Sequence, residues 1–133
     1  MERKDFILRE IEKITILIQY LLGKYKPIKS AKEYRTIEKL FNKELKERYG
    51  KDLEYILNIE KIDFEKEFMQ SKGFNLENIE LLADLFQTLG NDQFSESQKY
   101  LNKALELYAY VDETSKTFSY ERSNKINSLK SIT

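Results

Sequence analysis

Two apolar stripes placed one after the other over residues 75–110 constrain this chain more than any other feature. In the first, Ile79, Leu82, Ala83, Phe86 and Leu89 fall at steps of three, one, three and three. That spacing is one continuous face of a helix with 3.6 residues per turn. In the second, Ser97, Leu101, Ala104, Leu105 and Tyr108 form a similar face. Asn75 is an N-cap candidate, because its side-chain oxygen can accept a free backbone N–H of the first turn. Gly90 offers a positive-φ stop for the first helix, and Ser95 with Gln98 makes a capping box for the second. Small residues at Ala83, Ser97 and Ala104 alternate with large ones at Phe86, Leu101 and Leu105. Two bulky side chains cannot share one crossing point, so the alternation predicts a close helical hairpin.

The pattern resembles a tetratricopeptide repeat. That family's first helix reads large-x-x-Leu-small-x-x-aromatic, and Ile79, Leu82, Ala83 and Phe86 stand in that order. Its second helix reads small-x-x-x-large-x-x-Ala, which Ser97, Leu101 and Ala104 match. Ile79 replaces the family's usual Trp, the turn is two residues longer, and Ala109 and Tyr110 stand where a proline would follow. The resemblance covers about a quarter of the chain, and residues 42–75 do not carry a second copy of the pattern. An ordinary antiparallel helix pair obeys the same packing rules and is the rival reading. The charged start leading into an Ile-rich helix is also similar to small bacterial helical proteins.

Elsewhere the same rhythm recurs. Ile7, Ile11, Ile14, Ile18 and Leu21 step by four, three, four and three, the seam of a heptad pattern. Leu8, Leu17 and Leu22 widen it. A long amphipathic helix is expected over 5–23, stopped by Gly23 and kept from resuming by Pro27. The seam either completes the chain's own core or pairs with a second copy, so these five residues are candidates for self-association. A leader peptide is not expected, because Glu2, Asp5, Glu10 and Glu12 spoil a basic start. The apolar run is also shorter than the ~18 residues of a membrane span.

A second helix is expected over 30–50, with Ser30 and Glu33 as its capping box and Gly50 as its stop. Tyr34, Ile37, Leu40, Phe41, Leu45 and Tyr49 form its apolar face, and Lys32, Arg35, Lys39, Lys43 and Lys46 its outer face. Residues 51–73 read as short helical pieces around Leu53, Ile56, Leu57, Phe64, Phe68 and Met69, ended by Gly73. Phe118, Arg122, Ile126 and Leu129 give a capping helix over 115–130, with Ser119 in a small-residue position. The expectation is one all-α domain over 1–133 with five or six helices. It is either an antiparallel helical bundle or a short right-handed tetratricopeptide-like superhelix.

Chemistry is narrowed by what is missing. The chain has no His and no Cys, which removes the commonest general base, the commonest neutral metal ligand and any thiolate. The glycines at 23, 50, 73 and 90 lie singly, without the close spacing that dinucleotide folds and P-loops need. Glu77, Glu80 and Asp84 share one helix face. Carboxylates in such a row can hold a hard cation, but a solvated acidic face is the simpler reading. No catalytic residue, metal or cofactor is expected.

Function is therefore expected to be non-enzymatic, as a cytoplasmic protein–protein interaction or scaffold module. The resemblance implies a concave wall of Glu77, Glu80, Leu81, Asp84, Gln87 and Thr88, extended by Lys116, Thr117 and Tyr120, suited to a basic partner segment. The alternative starts from charge. Residues 24–51 hold ten basic and four acidic side chains, a balance of +6, whereas residues 52–113 hold five and fourteen, a balance of −9. Lys32, Arg35, Lys39 and Lys43 could then meet a nucleic acid or another anionic surface. The neutral total and the inward-facing aromatics argue against nucleic acid.

Overall fold

A computed structural model describes residues 2–70, 74–91 and 97–133. Six α-helices lie among them: α1 (Glu2–Tyr25), α2 (Ala31–Arg48), α3 (Leu53–Leu57), α4 (Leu76–Gly90), α5 (Ser97–Ser115) and α6 (Tyr120–Ile132). A 3₁₀ turn, Lys61–Asp63, and a π-helical turn, Glu65–Met69, follow α3. No strand occurs among the described residues.

The helices pack as an array in the order α2, α1, α4, α5, α6, with α3 bridging α2 and α5. The hairpin of α4 and α5 is the most extensive pairing. Gly90 meets Leu101 and Asp84 meets Tyr108, so the two helices run antiparallel. Ile79, Leu82, Ala83, Phe86 and Leu89 are all buried, and so is Leu85. The wider stripe lets α4 face α1 on one side and α5 on the other. Ala104 and Tyr108 are buried without exposed surface, and Tyr100, Leu107 and Val111 add a second buried row on α5.

Ile11, Ile14, Ile18 and Leu21 are each 1% exposed, and Ile7 is partly buried. Their cover is the chain's own α2 and α4. Arg48, near the end of α2, reaches Glu10 at 3.3 Å while bonded to Glu44, so α2 returns antiparallel to α1. Its bond from Lys13, at 3.0 Å, holds the Glu10 carboxyl below the usual range.

The glycines differ from expectation in instructive ways. Gly23 does not stop α1, which runs on to Tyr25 with an ordinary φ at Gly23. An isolated glycine costs a helix only about 1 kcal/mol, less than the buried seam returns. Gly50 is a genuine stop at φ 83, its N–H reaching back to Leu45 O at 3.0 Å. Gly90 has no positive φ and is the last residue of α4. A Cβ there would lie 2.7 Å from Leu101 Cδ2 and 3.0 Å from the Leu101 backbone N, so Gly90 permits close approach of the two helices. Gly73 and Ser95 lie outside the described residues, and Gln98 donates its amide to Asn102 Oδ1 at 2.9 Å.

Caps follow the sequence closely. Asn75 accepts from the Asn78 N–H at 2.9 Å, and Asn78 accepts from the Asn75 N–H at 2.7 Å, a reciprocal box. Ser30 accepts from the Glu33 N–H at 3.2 Å, but the Glu33 carboxylate takes the N–H of Lys29 and not of Ser30. Ser119 is the N-cap of α6, accepting from the Arg122 N–H, and is not a packing position. Phe118 lies before that helix and is 71% exposed, whereas Arg122 and Leu129 are buried and Ile126 is partly so.

The irregular stretch after α3 is held by rings. Tyr49, Phe74, Phe68, Phe64 and Tyr110 form an unbroken chain of contacts with centroids 5.2–5.7 Å apart. Lys103, buried on α5, clamps the stretch by donating to Ile59 O and to Glu106 Oε1 at 2.7 Å while lying over the Phe64 ring.

Candidate functional site

The acidic row of α4 is met by α6. Arg122 is 5% exposed and joins Glu80 at 3.3 Å, Asp112 at 3.0 Å and the Thr117 carbonyl at 2.6 Å. Lys125 pairs with Asp84 at 2.8 Å. The Tyr108 hydroxyl donates within reach of Asp84 and of Gln87 Oε1, and Thr88 bonds back to Asp84 O at 2.9 Å. Burial first, and then the Asp84 charge, push the Tyr108 phenol far above its ordinary range. Of the expected wall, Glu80, Asp84 and Gln87 are thus brought together, but as part of the α4–α5–α6 packing. Leu81 is half-buried and Glu77 exposed. Lys116, at φ 58, sits on the turn between α5 and α6, and Tyr120, 77% exposed against Phe118, opens α6. No contact places those two beside the α4 carboxylates among the described residues.

Open charge lies on α2 instead. Lys32, Arg35, Lys39, Lys43 and Lys46 are all exposed, at steps of three, four, four and three along one face. None of the five forms an ion pair among the described residues. Three acids of α2 are engaged away from these cations: Glu44 holds Arg48, Glu33 takes the Lys29 N–H, and Glu38 accepts from the Tyr34 hydroxyl at 2.9 Å and from that of Tyr100.

Beside the stripe a cleft of about 360 Å³ opens between α2, α3 and α5. One wall carries Arg35, Lys39 and Asn42, which share a helix face at i, i+4 and i+7, with the Glu38 carboxylate beside them. The other carries Asp52 and Glu54, with Leu53, Leu57 and Tyr100 between the walls. Asp52 caps α3 through the Tyr55 N–H at 2.8 Å, and Glu54 takes Lys99 at 2.7 Å. Asn42 Oδ1 accepts the Leu53 N–H at 2.7 Å, which leaves its amide N–H₂ as a donor at the cleft. Burial and then Glu38 raise the Tyr100 phenol far above its ordinary range, keeping it a proton donor. No ion pair crosses from one wall to the other among the described residues. The arrangement can receive an anion on its α2 side.

Sequence reasoning identified Arg35 and Lys39 but missed Tyr100, Asn42, Asp52 and Glu54. Tyr100 had a signal, because Tyr100, Ala104, Leu107, Tyr108 and Val111 form a helical stripe of their own. The others depend on α3 folding across α2, which no spacing encodes. Among the described residues no three carboxylates converge as a metal-binding group, and no helix is long and apolar enough to cross a membrane. Comparison with protein families, with curated proteins and with solved structures gave no match.

Proposed function

We propose that the chain is a non-enzymatic interaction module, built around a tetratricopeptide-like hairpin of α4 and α5, that docks an acidic segment of a partner protein on α2. The observation that carries this reading is the stripe of five exposed cations that form no ion pair among the described residues. Like charges one turn apart repel, so such a stripe lowers the stability of the free chain and gains by meeting carboxylates from outside. A protein that has no His and no Cys has few groups suited to catalysis near neutral pH. The hairpin supplies rigidity, which a docking face needs if binding is not to cost ordering entropy.

The regular cation spacing also favours a second reading, a nucleic-acid backbone laid along α2. Base stacking would be missing from it, because Tyr34 and Phe41 are buried. An acidic peptide, with discrete charges, is the better match.

Fluorescence anisotropy separates the two. A labelled Glu-rich peptide should bind at about 50 mM salt and weaken as salt rises, with a short single-stranded oligonucleotide binding less tightly. Lys39→Glu with Lys43→Glu should weaken peptide binding about tenfold or more. Absence of peptide binding would end the reading, and tighter oligonucleotide binding would replace it with the second.

A further inference from the structure

We infer that the cleft between α2 and α3 binds a short zwitterionic peptide, its carboxylate against Arg35, Lys39 and Asn42 and its ammonium against Asp52 and Glu54. This ligand is separate from the acidic segment docked along α2, which draws on the whole cation stripe. The cleft carries charge of both signs, Arg35 and Lys39 against Glu38, Asp52 and Glu54. A simple anion would meet three carboxylates there, and a simple cation two cations. A ligand with one charge of each sign can turn each end to the wall that suits it.

The free groups are sorted by wall. On α2, Arg35 and Lys39 form no ion pair among the described residues. Asn42 uses its Oδ1 for the Leu53 N–H, and its amide keeps two N–H donors. Glu38 is committed to the Tyr34 and Tyr100 hydroxyls through Oε2. On α3, Asp52 caps the helix through Oδ1 and Glu54 takes Lys99 through Oε1. Their second oxygens, Oδ2 and Oε2, accept no hydrogen bond among the described residues. Donors thus stand on one wall and acceptors on the other, and a peptide with free ends supplies the complement of both. The volume of about 360 Å³ lies at the small end of ligand sites. Leu53 and Leu57 are 7% and 8% exposed, so the floor is closed and offers little apolar contact. Recognition therefore falls to the two charged ends, and a ligand without side chains suffices. Exposed ionic contacts contribute little each, so binding should be millimolar.

Glycylglycine is the probe, titrated into the ¹⁵N-labelled full chain to about 50 mM, a range that covers millimolar affinities. The Asn42 side-chain amide and the backbone amides of Leu53–Leu57 should shift and saturate. Acetyl-glycylglycine, which lacks the ammonium, and glycylglycine amide, which lacks the carboxylate, should each bind about tenfold or more weakly. Arg35→Gln with Lys39→Gln should lose the response, and so should Asp52→Asn with Glu54→Gln, in which Asn keeps the cap of α3. Circular dichroism of each variant guards against unfolding. A blocked peptide that binds as well as glycylglycine, shifts confined to other parts of the chain, or no saturation overturns the inference. So does undiminished binding in the folded Asp52→Asn, Glu54→Gln protein. That variant keeps the α2 stripe and should still take the Glu-rich peptide, so the docking reading and this one can fail separately.

Discussion

Gly90 and Tyr108 show how much of this fold depends on single atoms. At Gly90 the missing Cβ is what lets the end of α4 touch Leu101. Gly90→Ala should cost about 1–3 kcal/mol, as overpacking does, with a lower urea midpoint and an unchanged m-value. Gly23 has open space around it and an ordinary φ, so Gly23→Ala should instead add about 0.5–1 kcal/mol. Equal effects at the two sites would contradict the assignment of close approach to Gly90. Tyr108 and Tyr100 are kept protonated by burial and by Asp84 and Glu38 respectively, and burial with Glu65 brings Tyr110 up to about 12. In the unfolded chain all three ionise near pH 10. Folded protein therefore holds protons that the unfolded chain has lost, and stability is complete below about pH 10 and declines as pH rises further. Urea midpoints from about pH 8 to pH 11 should show this fall, and Tyr108→Phe should make it shallower. A midpoint that stays level over that range would contradict the burial of these phenols.

Among the elements, α6 is the one held most by charge. Its buried apolar residue is Leu129, with Ile126 half-covered, while Arg122 and Lys125 tie it to α4 and α5. Arg122→Met should cost about 1–3 kcal/mol, toward the lower end because Asp112 is 46% exposed and can be rehydrated. Amide exchange over residues 120–132 should speed up before the rest of the chain. Unchanged protection there would mean that α6 is held by something other than the guanidinium. The same contrast explains what was legible in the sequence. The helices α1, α2, α4 and α5 were readable because each writes its buried face as a periodic stripe, from Ile11 to Leu21 or from Ile79 to Leu89. Spacing sets Arg122 on the stripe of α6 with Ile126 and Leu129 but does not reveal it as an ion-pair anchor, since its partners are 10 and 42 residues away in sequence. Residues 51–70 were legible only as short helical pieces, because their arrangement comes from rings at 49, 64, 68, 74 and 110 meeting in space. Gly90 looked like a stop because position alone does not distinguish a turn from a close approach.

For the molecule as a whole, the disposition of charge decides where a partner can act. Glu80 and Asp84 of the expected concave wall are engaged by α6, whereas Lys32, Arg35, Lys39, Lys43 and Lys46 on α2 form no ion pair among the described residues. The cleft was half legible: its cationic wall is a sequence stripe, but its acidic wall exists only once α3 folds across α2. The placement of the docking face on α2 is the claim on which the functional reading depends. Backbone amide chemical shifts of ¹⁵N-labelled protein, followed during titration with a Glu-rich peptide, test it most directly. The account predicts that the shifted amides cluster at Arg35, Lys39, Asn42 and the α3 residues Leu53–Leu57. Shifts centred on Glu77–Thr88, or none at saturating peptide, would contradict it.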